Sequence, residues 1–550
     1  MTGHSSKPAV IRLLLFVALP CLITLGLYYP IINFQPVWDD AIWIQEIRAH
    51  PHFTFFDWLH YALTTPSVQS NAFYRPLAAL TLHISFSDSF NPSEQWHIVS
   101  LILALLNIAL TGLICTRLLP AEKIPQMFFI ALILLATACH PMLVEVYAWA
   151  SARFEQLYIF FSLLCVYTTL FCSKRGLQAA ITAGCFLLAL GCKETAIVLF
   201  AVLPLLQSLR AGKLSLAATM QTITTNRLLY CSLLLVFIAY LLARHAVLQG
   251  LFSLEAHQLL YQSPFEHGFI ILESLGRYLR MLAYPFIELS PINARSGNTS
   301  LYTLSGAAFT LLLALSYFSR FRKLFFAGMI FLAAISPALN VVQLATFNDI
   351  VQNRYLGLSL YLLPVVLLCA SNLQIGDKLR GQMSAVLVLS IILFGATSAS
   401  IIPLWHDSFS LWTWTARENP ASVMAQSNYA ALLIEKGSLE EATRILEAAN
   451  RIQPTCYAYL LLGVSANIRR DENMEWLAYR QAVAQRCEEG QMRKIAPRLL
   501  QLAWSRQEYL FIYNLLNVYE QITPQTDEQS KTIQQYRTLL EQTSRQNEKP

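Results

Sequence analysis

Long apolar runs separated by short polar joints fill residues 1–402. The first, at about 12–30, follows Lys7 and Arg12 and lacks a small-residue cleavage pattern. It reads as an uncleaved first span with the N-terminus in the cytoplasm. Further runs lie at about 97–116, 126–143, 156–172, 177–191, 194–208, 229–247, 303–318, 325–342, 356–372 and 383–402. They approach or fall somewhat short of the ~20 residues a straight helix needs to cross a bilayer. Residues 31–95 break the pattern: they are mixed, aromatic and punctuated by Pro36, Pro51, Pro66, Pro76 and Pro92. This stretch is expected to be a large first extracytoplasmic loop with short interfacial helices, in which Trp38, Trp43, Trp58 and Trp96 suit an aromatic belt.

Basic residues orient the spans. Arg117 and Lys123, Lys174 and Arg175, Arg210 and Lys213, Arg320, Arg322 and Lys323, and Lys378 and Arg380 all fall on the cytoplasmic side if residues 269–287 do not cross. That segment carries Glu273, Arg277 and Arg280 within an apolar pattern, which predicts an amphipathic helix lying in the interface. The count is then eleven spans, with the N-terminus inside and the C-terminus outside. After residue 403 the pattern becomes soluble and helical, with self-similarity near a period of 34. Ala430, Leu433, Gly437, Ala442, Leu446, Ala449 and Pro454, then Gly463, Tyr479 and Ala482, occupy the small, large and terminating positions of a tetratricopeptide repeat. Residues 490–545 read as further helices. The expected architecture is all-α: a membrane domain over 1–402 and a helical repeat domain over 403–550 on the extracytoplasmic side.

Composition agrees with this division. The chain is 55% hydrophobic and 13% charged, where a soluble globular protein carries about 25% charge. The net charge of +6 is spread over cytoplasmic joints, and no basic block suits nucleic acid. Nine of the cysteines lie in or beside apolar runs; Cys456 and Cys487 fall in the soluble part, where a disulfide is open in an oxidising compartment. No CxxC or HxxxH spacing suggests a metal cage.

Polar residues at membrane edges are the candidates for chemistry. Asp39 and Asp40 follow the first span directly; the local alternative is a helix cap before Ala41 to Ile47. Four other clusters fall on the same predicted side: Asn71 to Leu77 with Tyr74 and Arg75; His140 to Glu145 running into Arg153 and Glu155; Lys193 and Glu194; and Asn348-Asp349 with Asn353, Arg354 and Tyr355. Taken singly, Arg153 with Glu155 or Lys193 with Glu194 reads equally well as a structural ion pair, Arg354 as a snorkelling anchor and Tyr74 as packing. Jointly, acids and cations on one face suit a charged amphiphilic ligand. Arg and Lys match a phosphate, and a carboxylate can activate a hydroxyl nucleophile.

These residues resemble the membrane glycosyltransferases of the GT-C superfamily, and within it the protein O-mannosyltransferases that join a transmembrane domain to tetratricopeptide repeats, with their bacterial relatives. The matching features are Asp39-Asp40, Tyr74-Arg75-Pro76-Leu77, Asn91-Pro92 to His97 with Asn107, His140-Pro141 with Glu145, Ala152 to Glu155, Lys193-Glu194, Arg354-Tyr355-Leu356 and the repeats, in that order. The chain departs from the family where Gly-Arg-Ala-Asp is replaced by Ala152-Arg153-Phe154-Glu155, and its repeat array is short. The resemblance implies an inverting transfer of a sugar, mannose in many members, from a polyprenyl-phosphate donor to a Ser/Thr hydroxyl of a protein. It implies Asp39 as general base and Asp40 as the residue orienting base or acceptor. Arg75, Lys193 and Arg354 become candidates for the donor phosphate. Tyr74, His140, Glu145, Arg153, Glu155, Glu194 and Tyr355 become candidates for the cavity wall. No cofactor is expected, although some GT-C enzymes use a divalent metal. The partners are the lipid-linked donor, a protein acceptor met by the repeats and the bilayer. The short chain and compact loops favour an expected location in a bacterial inner membrane with the repeats periplasmic, the alternative being the endoplasmic reticulum. The competing functions are transfer to a lipid or glycan, and a non-enzymatic scaffold for which Asp39 and Asp40 would be dispensable.

Overall fold

The structure is a computed structural model that describes residues 6–67, 73–88, 91–119, 124–250, 263–295, 299–341, 349–370, 377–485, 487–522 and 527–547. It is almost entirely α-helical. The chain divides into two compact units, Met1–Leu411 and Trp412–Pro550.

In the first unit, α1 (Val10–Asn33) leads into three short helices, α2 (Asp40–Ala49), α3 (Phe55–Thr64) and α4 (Pro76–Ile84). Their starts follow local chemistry. Thr54 caps α3 through a reciprocal bond with Asp57, and Pro76 opens α4 where its missing N–H leaves no bond unmade. The tryptophans of this region do not form an outward belt. Trp43, Trp58 and Trp96 are buried, and the Trp96 indole donates to the Leu82 carbonyl. The aromatic residues turned outward include Phe55, Phe56 and Phe73. The physical reason is the core this loop needs: Glu46, buried among these rings, accepts from Tyr61 and meets His83, and the Trp58 ring stacks on His83.

The helices that follow are α5 (Glu94–Leu118), α6 (Ile124–Ala138), α7 (Val144–Ala148), α8 (Arg153–Phe171), α9 (Arg175–Cys192), α10 (Leu199–Arg210), α11 (Leu216–Thr225), α12 (Arg227–Leu248), α13 (Pro264–Ala283), α14 (Thr299–Tyr317), α15 (Arg322–Ile335), α16 (Gly357–Ala370) and α17 (Asp377–Ile401). Among the described residues, eight helices are long and apolar enough to cross a membrane, or nine if the bent pair Gln126–Ala138 and Pro141–Ala148 is one span. A total of eleven would also need α10 and α15, of 12 and 14 residues. Each is prolonged by a 3-10 turn, Glu194–Val198 before α10 and Ser336–Ala338 after α15. The spans containing α5, α8 and α16 are mostly buried inside the unit, whereas α12 and α14 expose most of their apolar surface.

Helix α13 does not present to water the charged face that its amphipathic pattern predicts. Its charged side faces inward: Glu273 and Arg277 are fully buried and paired, and Arg277 and Arg280 both reach Glu288. Its exposed residues include Phe265 and Phe269. A carbon added at Gly276 would lie 1.9 Å from the Tyr302 carbonyl oxygen, and one at Gly306 would lie 2.0 Å from that of Leu272. These contacts run in opposite directions along the two chains, so α13 and α14 pack antiparallel with backbones touching. The pattern of three charges within an apolar run marks a buried ion network here, not a wetted face.

Two short strands, β1 (Asn293–Ala294) and β2 (Asp349–Val351), pair antiparallel. The pair feeds a 3-10 turn, Asn353–Leu356, that enters α16. Asn353 fixes this turn by donating to the Leu289 and Ser290 carbonyls.

The boundary between the units falls inside α18 (Ser408–Glu418). The second unit then contains α19 (Val423–Glu435), α20 (Leu439–Ile452), α21 (Cys456–Ile468), α22 (Glu472–Ala484), α23 (Glu489–Ser505), α24 (Tyr509–Glu520) and α25 (Asp527–Asn547). The first helices of successive hairpins, α19, α21 and α23, begin at 423, 456 and 489. Ser422 and Thr455 cap the first two through their hydroxyls. Small residues let the helices approach: Ala430, Ala442 and Ala482 are fully buried, and Gly463 abuts the Tyr479 ring. Cys456, opening α21, is joined to Cys487, just beyond α22, by a disulfide. Arg498 of α23 makes two 2.8 Å bonds to buried Glu475 of α22.

Candidate active site

Asp39 and Asp40 end a turn that starts where α1 stops. Trp38 takes a left-handed conformation, φ 54°, which for a bulky residue stores roughly 1–3 kcal/mol. Its ring is held by stacking on Trp149, with centroids 4.6 Å apart and planes within 14°. Asp39 opens α2 but makes no capping bond with its side chain. The capping alternative therefore does not describe it.

Asp40 is fully buried. One carboxylate oxygen accepts from the Val37 amide at 3.0 Å; the other accepts from the Ser151 amide at 2.8 Å and from the Ser151 hydroxyl. Burial pushes its pKa up to about 7, against the pull of these donors and with a smaller push from Asp39. Asp39 is partly exposed. Burial raises it to about 6, and the Arg354 charge works in the opposite direction. The two adjacent acids are thus unlike: one locked by three donors, the other open on one side.

Three cations from different elements form a series of which Arg354 is the member nearest Asp39. Arg75, before α4, makes a two-pronged bond to Glu194 at 3.0 and 2.6 Å. Lys193, after α9, is paired with Glu155 of α8. Arg354 is paired with Glu145 of α7 at 2.5 Å, and its backbone amide also donates to Glu145. Neighbours in sequence are therefore not the partners: neither Arg153 with Glu155 nor Lys193 with Glu194 forms the pair, and each ion pair joins separate elements. Arg354 keeps one donor, Nε, buried without a hydrogen-bond partner.

Aromatic rings link these groups. The Arg75 guanidinium lies 4.8 Å from the Phe154 ring centre, Lys193 Nζ lies 5.6 Å from Phe154 and 4.1 Å from Tyr355, and the Arg354 guanidinium lies 5.5 Å from Tyr355, 5.3 Å from Trp149 and 5.9 Å from Trp38. A small cleft, with room for about one water, lies between Glu155, Tyr158, Lys193, Thr195, Pro337 and Tyr355. Ring faces attract cations, most strongly where water is scarce. Arg354 is thus the cation beside Asp39, and shared rings link it in turn to Lys193 and Arg75, each held by its own carboxylate.

Of the residues expected on a cavity wall, Glu145, Glu155, Glu194 and Tyr355 belong to this cluster. Three do not. Tyr74 is buried, donates to the Leu63 carbonyl and packs against Tyr240. His140 accepts from the Met142 amide, lies 3.3 Å from the Leu282 carbonyl and packs edge-on to Phe394. Arg153 is fully buried and donates to the Trp96 and Thr81 carbonyls and the Ser85 hydroxyl. Its charge lies close enough to Asp40 for the two to interact. Asn71, Ala72 and Asn348 lie outside the described residues.

Sequence reasoning placed Trp38 in an aromatic belt and Phe154 within a motif, but gave neither a place in the site, and it gave none to Trp149 or to Ser151, which holds Asp40. Trp38 directly precedes Asp39, and Trp149 to Phe154 surround Arg153, so proximity to the charged motifs was an available signal. Arg244 of α12 was also missed; it bonds Tyr240, whose hydroxyl donates to the Tyr74 carbonyl. No group of three or more His, Cys, Asp or Glu that could hold a metal ion occurs among the described residues. No family model, curated protein or solved structure matches the chain.

Proposed function

We propose that the chain is a GT-C-type membrane glycosyltransferase that moves a sugar from a polyprenyl-phosphate donor to a Ser/Thr hydroxyl of a protein, with inversion. The observation that carries this reading is the placement of Arg354. It lies beside the partly exposed Asp39, is anchored by Glu145, and keeps a buried donor unpartnered. A base and a cation on neighbouring positions suit a displacement in which a proton leaves the nucleophile as negative charge grows on the leaving phosphate.

In this mechanism Asp39 takes the proton of the acceptor hydroxyl. The acceptor oxygen attacks the anomeric carbon from the face opposite the phosphate, the new C–O bond forms, and the bond to the phosphate oxygen breaks with its electron pair. Arg354, then Lys193 and Arg75, stabilise the departing phosphate. Their carboxylate partners hold them in position before the ligand arrives, so little reorganisation is needed. Asp40, tied to Val37 and Ser151, fixes the turn that presents Asp39.

The second unit fits a short tetratricopeptide-like array: hairpins recur at near 34-residue intervals and offer a concave surface for an extended peptide. Its disulfide favours an oxidising compartment, in keeping with a periplasmic repeat domain on a bacterial inner membrane. We read α10, α15 and the bent pair as crossing segments, which gives the eleven-span count.

The test is transfer from a polyprenyl-phosphate sugar to a Ser/Thr peptide by the full chain in nanodiscs. Asp39→Asn is expected to lower kcat by roughly 10²–10⁴, and Arg354→Gln by roughly 10²–10³. Wild-type rates in both variants would remove the assignment and favour a scaffold.

A further inference from the structure

The cations of the site do not stop at its edge. Arg244 lies on α12, a helix whose Leu234, Leu235, Ile238 and Leu242 are exposed as a lipid-facing row would be. Arg244 turns the other way. It is buried and hydrogen-bonded to Tyr240, one turn back on the same helix. An arginine on a peripheral apolar helix is costly unless it reaches the headgroups or serves a function, and this one does not extend outward.

From Arg244 a continuous series of cations and rings leads to Asp39. Tyr240 packs on Tyr74 with ring centres 5.9 Å apart, and the next residue, Arg75, lies between Phe73 and Phe154. Phe154 also faces Lys193, Lys193 faces Tyr355, and Tyr355 faces Arg354. Arg354 lies over Trp38, directly before Asp39. The residues come from six separate parts of the chain, so no sequence periodicity imposes the order. Each of Arg75, Lys193 and Arg354 is already balanced by a carboxylate, which lets an anion pass from one to the next without meeting one deep trap.

We propose that this series is a lateral track by which the phosphate head of a lipid-linked ligand enters from the bilayer, with Arg244 as its first contact. The track rests on the glycosyltransferase reading for its purpose but not for its test. Binding is measured with the full chain in nanodiscs, without any sugar transfer, using three probes: a long-chain polyprenyl phosphate, the uncharged polyprenol, and a water-soluble short-chain prenyl phosphate. Removing one charged contact at an entry point is expected to slow association about tenfold. Arg244→Gln should therefore slow the long-chain phosphate by that factor, leave polyprenol unchanged, and leave the short-chain phosphate unchanged because it reaches the site from water. Arg244→Lys should retain most of the wild-type rate, which separates lost charge from lost fold.

Equal slowing of all three probes, no slowing of the long-chain phosphate, or no saturable binding of it by the wild type would each overturn the track. If wild-type protein binds the long-chain phosphate in an Arg244-dependent way yet transfers no sugar from its glycosylated form, the track stands and the transferase reading falls.

Discussion

The disulfide of the second unit makes a prediction whose size follows from chain length. Cys456 and Cys487 are separated by 31 residues and enclose the whole α21–α22 hairpin. Opening the bridge returns conformational freedom to the unfolded chain; for a loop of this length the chain-entropy relation gives about 3.7 kcal/mol at 25 °C. If the hairpin opens as part of one cooperative unit, the slowest amides of α21 and α22 should exchange roughly 500-fold faster once the bridge is gone. The perturbation is the pair Cys456→Ser and Cys487→Ser in the full chain, and the assay is hydrogen exchange by mass spectrometry in nanodiscs near neutral pH. Peptides from α21 and α22 should show the largest loss of protection. A change below about threefold in their slowest amides would refute the reasoning, since the bridge would then constrain nothing that folding does not already fix. The same cysteines test the compartment. In freshly harvested cells they should take a maleimide mass tag only after reduction; labelling without reduction would place the unit where disulfides do not form.

Burial raises Asp39 to about 6 and Asp40 to about 7; a carboxyl that binds its proton more tightly when folded stabilises fully below its unfolded value near ~3.9 and loses that stability as pH rises through 6 to 7. The wild-type unfolding temperature should therefore fall between about pH 4 and pH 7, and the Asp39→Asn, Asp40→Asn double variant should flatten the fall in scanning fluorimetry; an equally steep profile would assign it elsewhere. Transfer activity should run the other way, rising with pH through about 6 as Asp39 ionises, which a kcat/KM profile reads. A methyl group at Gly463 would lie 2.2 Å from the Tyr479 ring, so Gly463→Ala should destabilise the second unit by about 1–3 kcal/mol; adding Tyr479→Leu should recover part of this in a urea double-mutant cycle, and simple additivity would show that the two do not collide.

The helical class and most helix positions were legible because apolar run length and repeat spacing are local properties. The acids and cations of the site were legible as residue types, since Asp39, Arg75, Lys193 and Arg354 all stand out against apolar surroundings. Their partners were not. Lys193 is followed by Glu194 in the chain, yet its charge meets Glu155, and Glu194 meets Arg75. Adjacent side chains after Cys192 point in different directions, so sequence proximity works against pairing there. The buried tryptophans were misread for a related reason: an amphipathic ring fits a membrane interface and a loop core equally well, and only the tertiary partner, here the Leu82 carbonyl for Trp96, separates the two. Helix α13 shows the same ambiguity at larger scale. Three charges on an apolar helix fit a wetted face or an ion network inside a bundle, and Glu288, which decides between them, lies beyond the helix.

The unequal environments of Asp39 and Asp40 bear on which acid can act as a base. A general base must offer a lone pair in the direction of the incoming proton. Asp40 has one oxygen engaged by Val37 and the other by two donors of Ser151, and the charge of Arg153 acts on it as well. Bringing a hydroxyl to it would require breaking at least one of those bonds inside a buried site, at a cost of about 1–3 kcal/mol before any chemistry. Asp39 has no such bond to break, is open on one side and faces the charge of Arg354. Substituting Ser151 by Ala separates the two roles. If Asp40 acts through the turn, the variant should lower kcat modestly, by about tenfold, and leave the acid limb of the pH profile set by Asp39 in place. If Asp40 is itself the base, removing a donor that favours its ionised form should move that limb upward by about one unit. A shift without loss of rate at high pH would overturn the assignment of Asp39.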